Sequence, residues 1–130
     1  MMIDASAILA IAWDEPEAER MARAIVDDPI RLMSAVSCLE ALMVAEGRHG
    51  PVGGRELQGL FTSFAIETIS FDPHQLRLAQ SAFLRFGKGR HPAALNLGDC
   101  CAYAAAVARG EPLLFKGRDF ALTDIEAVAW

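Results

Sequence analysis

Residues 1–13, MMIDASAILAIAW, place a three-residue apolar run before a longer apolar stretch, with Asp4 at the join. MMI reads as a short strand and SAILAIAW as a helix. The segment has no basic start, carries Asp4 and is too short to span a bilayer. It is therefore expected to begin the fold rather than to target a membrane, and the expected location is the cytosol. Outward from it the same alternation continues. DEPEAERMARAIVDD (14–28) reads as an amphipathic helix with Asp14 as cap and Pro16 in its first turn. IRLMS (30–34) is a strand, and AVSCLEALMVAEGRHG (35–50) is a mostly apolar helix ending in glycines. GGRELQGLFTSF (53–64) is a short helix and IETISF (66–71) a strand. DPHQLRLAQSAFLRFG (72–87) is a helix capped by Asp72, with Pro73 first. After the loop KGRHPAAL (88–95) comes a helix opened by Asp99 and stopped by Gly110. PLLF (112–115) is a strand, DFALTDI (119–125) a helical turn, and EAVAW (126–130) a last strand. Short strands alternating with helices predict an α/β domain with a parallel sheet.

The 130 residues suit one domain, 1–130, and at 53% hydrophobic the chain can bury a core. No repeat or linker divides it. Cys38, Cys100 and Cys101 are odd in number and lack metal-site spacing, so they read as free thiols in core helices. Phe61, Phe64, Phe83 and Phe86 fall at helical spacings and read as core or dimer contacts. The net charge of −5 argues against a nucleic-acid partner unless bound metal offsets some of the acids.

Most of the 17 acids lie in polar runs and need no function. Four do not. Asp4 ends the first strand, Glu40 interrupts VSCLEALMVA, Asp99 opens the apolar run DCCAYAAAVA, and Asp119 follows PLLF after a KGR turn. Each has a plain structural reading. Asp4 and Asp119 can cap the turns they precede, and Ser37 with Glu40 fits a capping box. Asn96 can cap the last long helix, placing Asp99 at its third position beside the helix dipole. Glu40 resists most. At 100° per residue it shares a stripe with Val36, Leu39 and Met43, and a lone carboxylate on a buried face is costly.

In open parallel sheets, ligands bind at the carboxyl ends of the strands. Asp4 and Asp119 follow strand ends, and Glu40 and Asp99 lie in first turns of helices on the same rim. Two carboxylates about 5 Å apart repel by roughly 3 kcal/mol at an effective dielectric of 20. Four converging acids must bind protons or a hard cation, and oxygen ligands without His or Cys suit Mg²⁺ or Mn²⁺.

MIDASA, SCLEA, LNLGDCCAYAAA and LLFKGRDFALTDI, in this order and spacing, resemble the VapC-type PIN-domain ribonuclease toxins of bacterial toxin–antitoxin pairs. The resemblance covers essentially the whole chain. It implies a three-layer α/β/α fold and a Mg²⁺-dependent endoribonuclease, with Mn²⁺ as an alternative. It implies a catalytic set of Asp4, Glu40, Asp99 and Asp119, with Asp4 and Asp99 the most direct metal ligands and Ser6 supporting them. A homodimer and a VapB-type antitoxin partner are implied too. Helices 14–28 and 53–64 are the candidate dimer or antitoxin surfaces. Arg118 stands where similar sequences often carry Asp or Asn, which leaves a fifth carboxylate contact open. Asp124 is the candidate substitute, and Arg118 is read as pairing with an acid or reaching a phosphate.

For the RNA, LRFGKGRH gathers Arg85, Lys88, Arg90 and His91 around two glycines, and Lys88 and Arg90 are the expected phosphate contacts. Two other readings compete. A phosphoacceptor receiver domain would need paired acids at the first strand and an Asp ending a middle strand, and IETISF lacks one. A non-catalytic PIN-like binding module would have no need of all four acids.

Overall fold

The computed structural model describes Met1–Trp130. Its elements are β1 (Met2–Ile3), α1 (Ala5–Ala12), α2 (Ala18–Asp27), β2 (Leu32–Ser34), α3 (Ala35–Ser63), β3 (Glu67–Ile69), α4 (Pro73–Phe86), α5 (Leu97–Arg109) and β4 (Leu113–Leu114), followed by a 3₁₀ turn at Phe120–Leu122. The four strands form one sheet in the order β3-β2-β1-β4, and every pairing is parallel.

Side-chain alternation along these short strands creates two cores. Met2, Ile69 and Leu113 pack with α4 and α5 on one face. Ile3, Met33 and Leu114 pack with α1, α2 and α3 on the other. The result is the expected three-layer α/β/α arrangement. Helix α5 is buried on nearly every side, from Cys100 to Ala106, which accounts for its lack of a polar face.

Caps place the helix starts at the strand ends. Asp4 caps α1, Ser34 caps α3, Asp72 caps α4 with Pro73 in the first turn, and Asn96 caps α5. Gly110 ends α5 in the left-handed conformation, as its sequence position predicts. Two expectations are corrected. Asp14 does not cap α2. It takes a positive φ of 50° in the turn after α1, which a short polar residue tolerates, and α2 begins at Ala18 with no side-chain cap. Segments 35–50 and 53–64 are two helical arms, as expected, which α3 spans across a kink at Gly50, where φ is +63° and the backbone is not helical. Its two arms fold closely enough that a Cβ on Gly53 would strike the carbonyl of Ala45. The last strand, 126–130, shrinks to a single bridge between Ala127 and Leu113, because β4 offers only two residues to pair with.

Candidate active site

β1 runs directly into Asp4, which lies at the centre of the sheet between the ends of β2 and β4. Only 4% of its surface is exposed. Its Oδ2 accepts from the Ser6 amide at 2.9 Å and from the Ser6 hydroxyl at 2.5 Å. That leaves Oδ1 with capacity for a ligand. Burial pushes the carboxyl above its ordinary range, against the opposite pull of the Ser6 bonds.

Asp99 occupies the third position of α5. Its Oδ2 accepts from the Asn96 amide at 2.8 Å, and its own amide donates to Asn96 Oδ1 at 3.0 Å. This closed capping box holds the carboxylate rigidly at the helix mouth. Asp99 is raised by burial first and then by Asp4 and Asp119, against the lowering bond from Asn96. Glu40, on the second turn of α3, is raised by burial and then by Asp4 and Asp99. Asp119 is exposed on the loop after β4 and makes no capping bond. The four sequence-predicted acids are therefore electrostatic neighbours on one rim, and none of them forms an ion pair with a Lys or Arg. Every ion pair in the chain uses other carboxylates.

The donor set is oxygen alone. Cys100 and Cys101 border it, and burial pushes both thiols up, Cys100 to about 11. No three acids are drawn close enough to enclose an ion by themselves. Oxygen donors of this kind are those that a hard divalent cation takes. The residues fit a hydrated hard divalent cation.

Several readings of the sequence change here. Ser37 does not form a capping box with Glu40. Ser34 caps α3, while Ser37 is buried with no partner for its hydroxyl. The stripe of Val36, Leu39 and Met43 is not the buried face either. Leu39 is 58% exposed and Met43 65%, while Ser37, Cys38, Ala41 and Ala45 face the core. Asp124 does not join the acids, because it accepts from Tyr103 at 2.6 Å and from Arg85 at 2.5 Å. Lys88, Arg90 and Arg118 are exposed and carry no carboxylate partner. The Arg90 guanidinium lies 5.2 Å from the Phe83 ring centre, and its loop leads into the cap residue Asn96.

Two residues at the site escaped notice in the sequence. Gly98 faces Glu40 so closely that a Cβ there would overlap the Glu40 carboxylate. A glycine in a helix's first turn, one position before an acid, is the signal that it left. Lys116 donates its main-chain N–H to Ser6 Oγ at 3.0 Å, and its position just after PLLF was the available clue.

The family model described as PIN domain matches residues 1–126. A Ribonuclease VapC from Mycolicibacterium smegmatis is 49% identical over 128 residues, covering 98% of this chain and 99% of that one. Ribonuclease VapC30 from Mycobacterium tuberculosis is 48% identical over 129 residues, covering 99% and 98%. The fold matches the crystal structure of M. tuberculosis VapC20, titled a sarcin-ricin loop cleaving toxin. There the TM-score is 0.79 at 14% identity, over 98% of this chain and 97% of that one. It also matches a toxin–antitoxin complex from Klebsiella pneumoniae, with a TM-score of 0.69 at 16% identity, over 92% and 89% of the two chains.

Proposed function

The chain belongs to the PIN-domain family and is an endoribonuclease of the VapC toxin type, and we propose that it works with Mg²⁺ held chiefly by Asp4 and Asp99. The observation that carries the metal and site assignment is the set of four acids on one rim with no basic partner in the fold. A cation there would neutralise the scissile phosphodiester and activate the attacking water. The chain's own residues do the rest. Ser6 orients Asp4, Asn96 holds Asp99, and Glu40 and Asp119 complete the negative rim and orient water at it. Mn²⁺ satisfies the same oxygen donors.

Lys88, Arg90 and Arg118 supply the positive charge that an acidic protein needs to hold RNA. Charge reversal at Lys88 and Arg90 is expected to weaken RNA binding and to flatten its salt dependence. We further propose one PIN domain over residues 1–130, a cytoplasmic location, a homodimer and a VapB-type antitoxin. No helix is long and apolar enough to cross a membrane. Protein partners are supported by exposed apolar side chains, Leu39 and Met43 on α3, Leu97 on α5, and Leu76 and Phe83 on α4. They line two adjacent grooves of 410 and 330 Å³ that share Leu97. This band, rather than α2 or the second arm of α3, carries the larger apolar exposure.

The deciding experiment incubates antitoxin-free protein with RNA in Mg²⁺, in Mn²⁺ and in EDTA. Cleavage with either metal, its loss in EDTA and its loss in Asp99→Asn are expected. Cleavage that persists in EDTA would overturn the metal reading.

A further inference from the structure

Asp4 and Asp99 are each fastened by hydrogen bonds near them in sequence, whereas Asp119 rides on an exposed loop and its side chain makes no capping bond. The loop leaves β4 at Leu114 and passes Gly117, whose φ is +108°. A glycine takes that conformation without the strain a side chain would bring. The loop is fastened one residue earlier. The main-chain N–H of Lys116 donates to Ser6 Oγ at 3.0 Å, and that same hydroxyl donates to Asp4. The Lys116 ammonium reaches the other way, to Glu15 and Glu17 in the turn between α1 and α2. The Glu17 Oε2 is buried, and it lies 3.1 Å from Lys116 Nζ with no other partner. All three side chains are about one-third exposed, at 34% for the lysine, 31% for Glu15 and 29% for Glu17. This is a partly buried cation shared by two carboxylates rather than a pair waving in solvent.

We propose that Lys116 is a positioning residue, whose clasp by Glu15 and Glu17 holds the loop bearing Asp119 beside Asp4 and so sets the affinity of the rim for its divalent cation. The inference rests on the metal-site reading given above. Lys116 touches neither substrate nor cation. It acts through the main chain, two residues ahead of Arg118 and three ahead of Asp119. Removing the ammonium releases the loop and also leaves two carboxylates facing each other across the turn. Both effects let Asp119 drift from the rim while Asp4 and Asp99 stay in place.

The test measures Mn²⁺ binding without RNA, by calorimetry, alongside thermal unfolding and the metal dependence of cleavage. Variants are Lys116→Met, Lys116→Arg, Glu15→Gln with Glu17→Gln, and Asp4→Asn as reference. Lys116→Met is expected to weaken Mn²⁺ binding about tenfold, the low end of the range for a lost outer contact. It should shift the metal concentration for half-maximal cleavage equally, with the rate at saturating metal within about twofold of the parent. Lys116→Arg should restore most of the affinity, and the double glutamine variant should resemble Lys116→Met. Unchanged Mn²⁺ affinity in a folded Lys116→Met protein, even with a lowered melting temperature, would overturn the proposal by leaving the clasp purely structural. Should Lys116→Met not fold, the double glutamine variant decides on the same readout. If Asp4→Asn also binds Mn²⁺ normally, the metal-site reading itself fails, and the two failures are thereby told apart.

Discussion

Asp4 and Asp99 owe their positions to residues two or three places away, whereas Glu40 and Asp119 owe theirs to elements distant in sequence. Ser6 and Asn96 tie the first pair into the starts of α1 and α5. Nothing ties the second pair directly. Burial and neighbouring charge are the forces on Glu40, and Asp119 lacks even the capping bond that its place before a turn suggests. A cap motif thus serves two purposes. It satisfies orphan amides at a helix start and freezes a carboxylate where a ligand can use it. The free pair completes the site only because sheet order and helix packing deliver it there. Substitution in the fixed pair should strike the chemistry directly, while substitution around the free pair should act through displacement.

The largest break is expected from Asp4→Asn and Asp99→Asn, each lowering Mg²⁺-dependent cleavage to about one hundredth or less. The same variants should raise thermal stability in EDTA, because each removes a buried or half-buried charge. Burial pushes Asp4, Glu40 and Asp99 above the ordinary carboxylate range. A raised acid holds its proton more tightly when folded than when unfolded. Its stabilising contribution is complete below the ordinary carboxylate value and is lost as pH rises through the raised one. In EDTA, the melting temperature of Asp99→Asn should therefore exceed the parent's at pH 7, and the gap should narrow towards pH 5. Divalent affinity of the parent should fall over that same descent, since protons compete for the rim. A gap that widens on acidification would contradict the shared-rim picture.

Next in size is Gly98→Ala, which tests the free pair. The added methyl would overlap the Glu40 carboxylate, so Glu40 must swing away from the acids it repels. Cleavage should drop about tenfold, in keeping with loss of a supporting contact. The fold should survive, since alanine is a better helix former than glycine. Circular dichroism and metal titration on one preparation would separate the two effects.

That contrast also marks how far the sequence could be read. The helix from Leu97 to Gly110, the caps at Asp72 and Asn96, and the third-position place of Asp99 were legible because each depends on residues within one turn, whereas the reciprocal box that Asp99 closes with Asn96 was read at Ser37 and Glu40 instead. The parallel sheet was legible from the alternation of short strands and helices. Two things were not. The stripe of Val36, Leu39 and Met43 looked buried because periodicity shows which residues share a face but not which face meets the core. In the fold, the smaller Cys38, Ala41 and Ala45 lie inward, and the large side chains stay free. Lys116 lay in a motif chosen for its acid, and its partners Glu15 and Glu17 are about a hundred residues earlier.

A milder test addresses the fixed pair. Asn96→Ala removes the side-chain oxygen that accepts from the Asp99 main-chain N–H and opens one half of the capping box, leaving the Asp99 carboxylate only its bond from the main-chain N–H of residue 96 at a loosened helix start. Loss of a helix cap costs about 1 kcal/mol, or about 4 °C in melting temperature for a domain of this size. Asn96→Ser, which keeps a capping oxygen, should recover most of the stability and the divalent affinity together. Recovery of stability without affinity would mean that the box caps the helix but does not place the ligand.

The smallest effect is expected where an acid of the same C-terminal region has been drawn off the rim. Asp124 accepts from Tyr103 Oη at 2.6 Å and from Arg85 at 2.5 Å, and both bonds hold its carboxyl below the ordinary range. The Tyr103 hydroxyl is pushed the other way, up to about 12, by burial and then by that carboxylate. These three residues pin the chain after the 3₁₀ turn onto α4 and α5, on the face of the sheet opposite α1. Tyr103→Phe should therefore cost about 1 kcal/mol, the usual worth of one hydrogen bond, and leave divalent affinity and cleavage unchanged. If it shifts metal affinity as Gly98→Ala does, Asp124 belongs with the free pair after all, and the division between held and delivered carboxylates would need a fifth member.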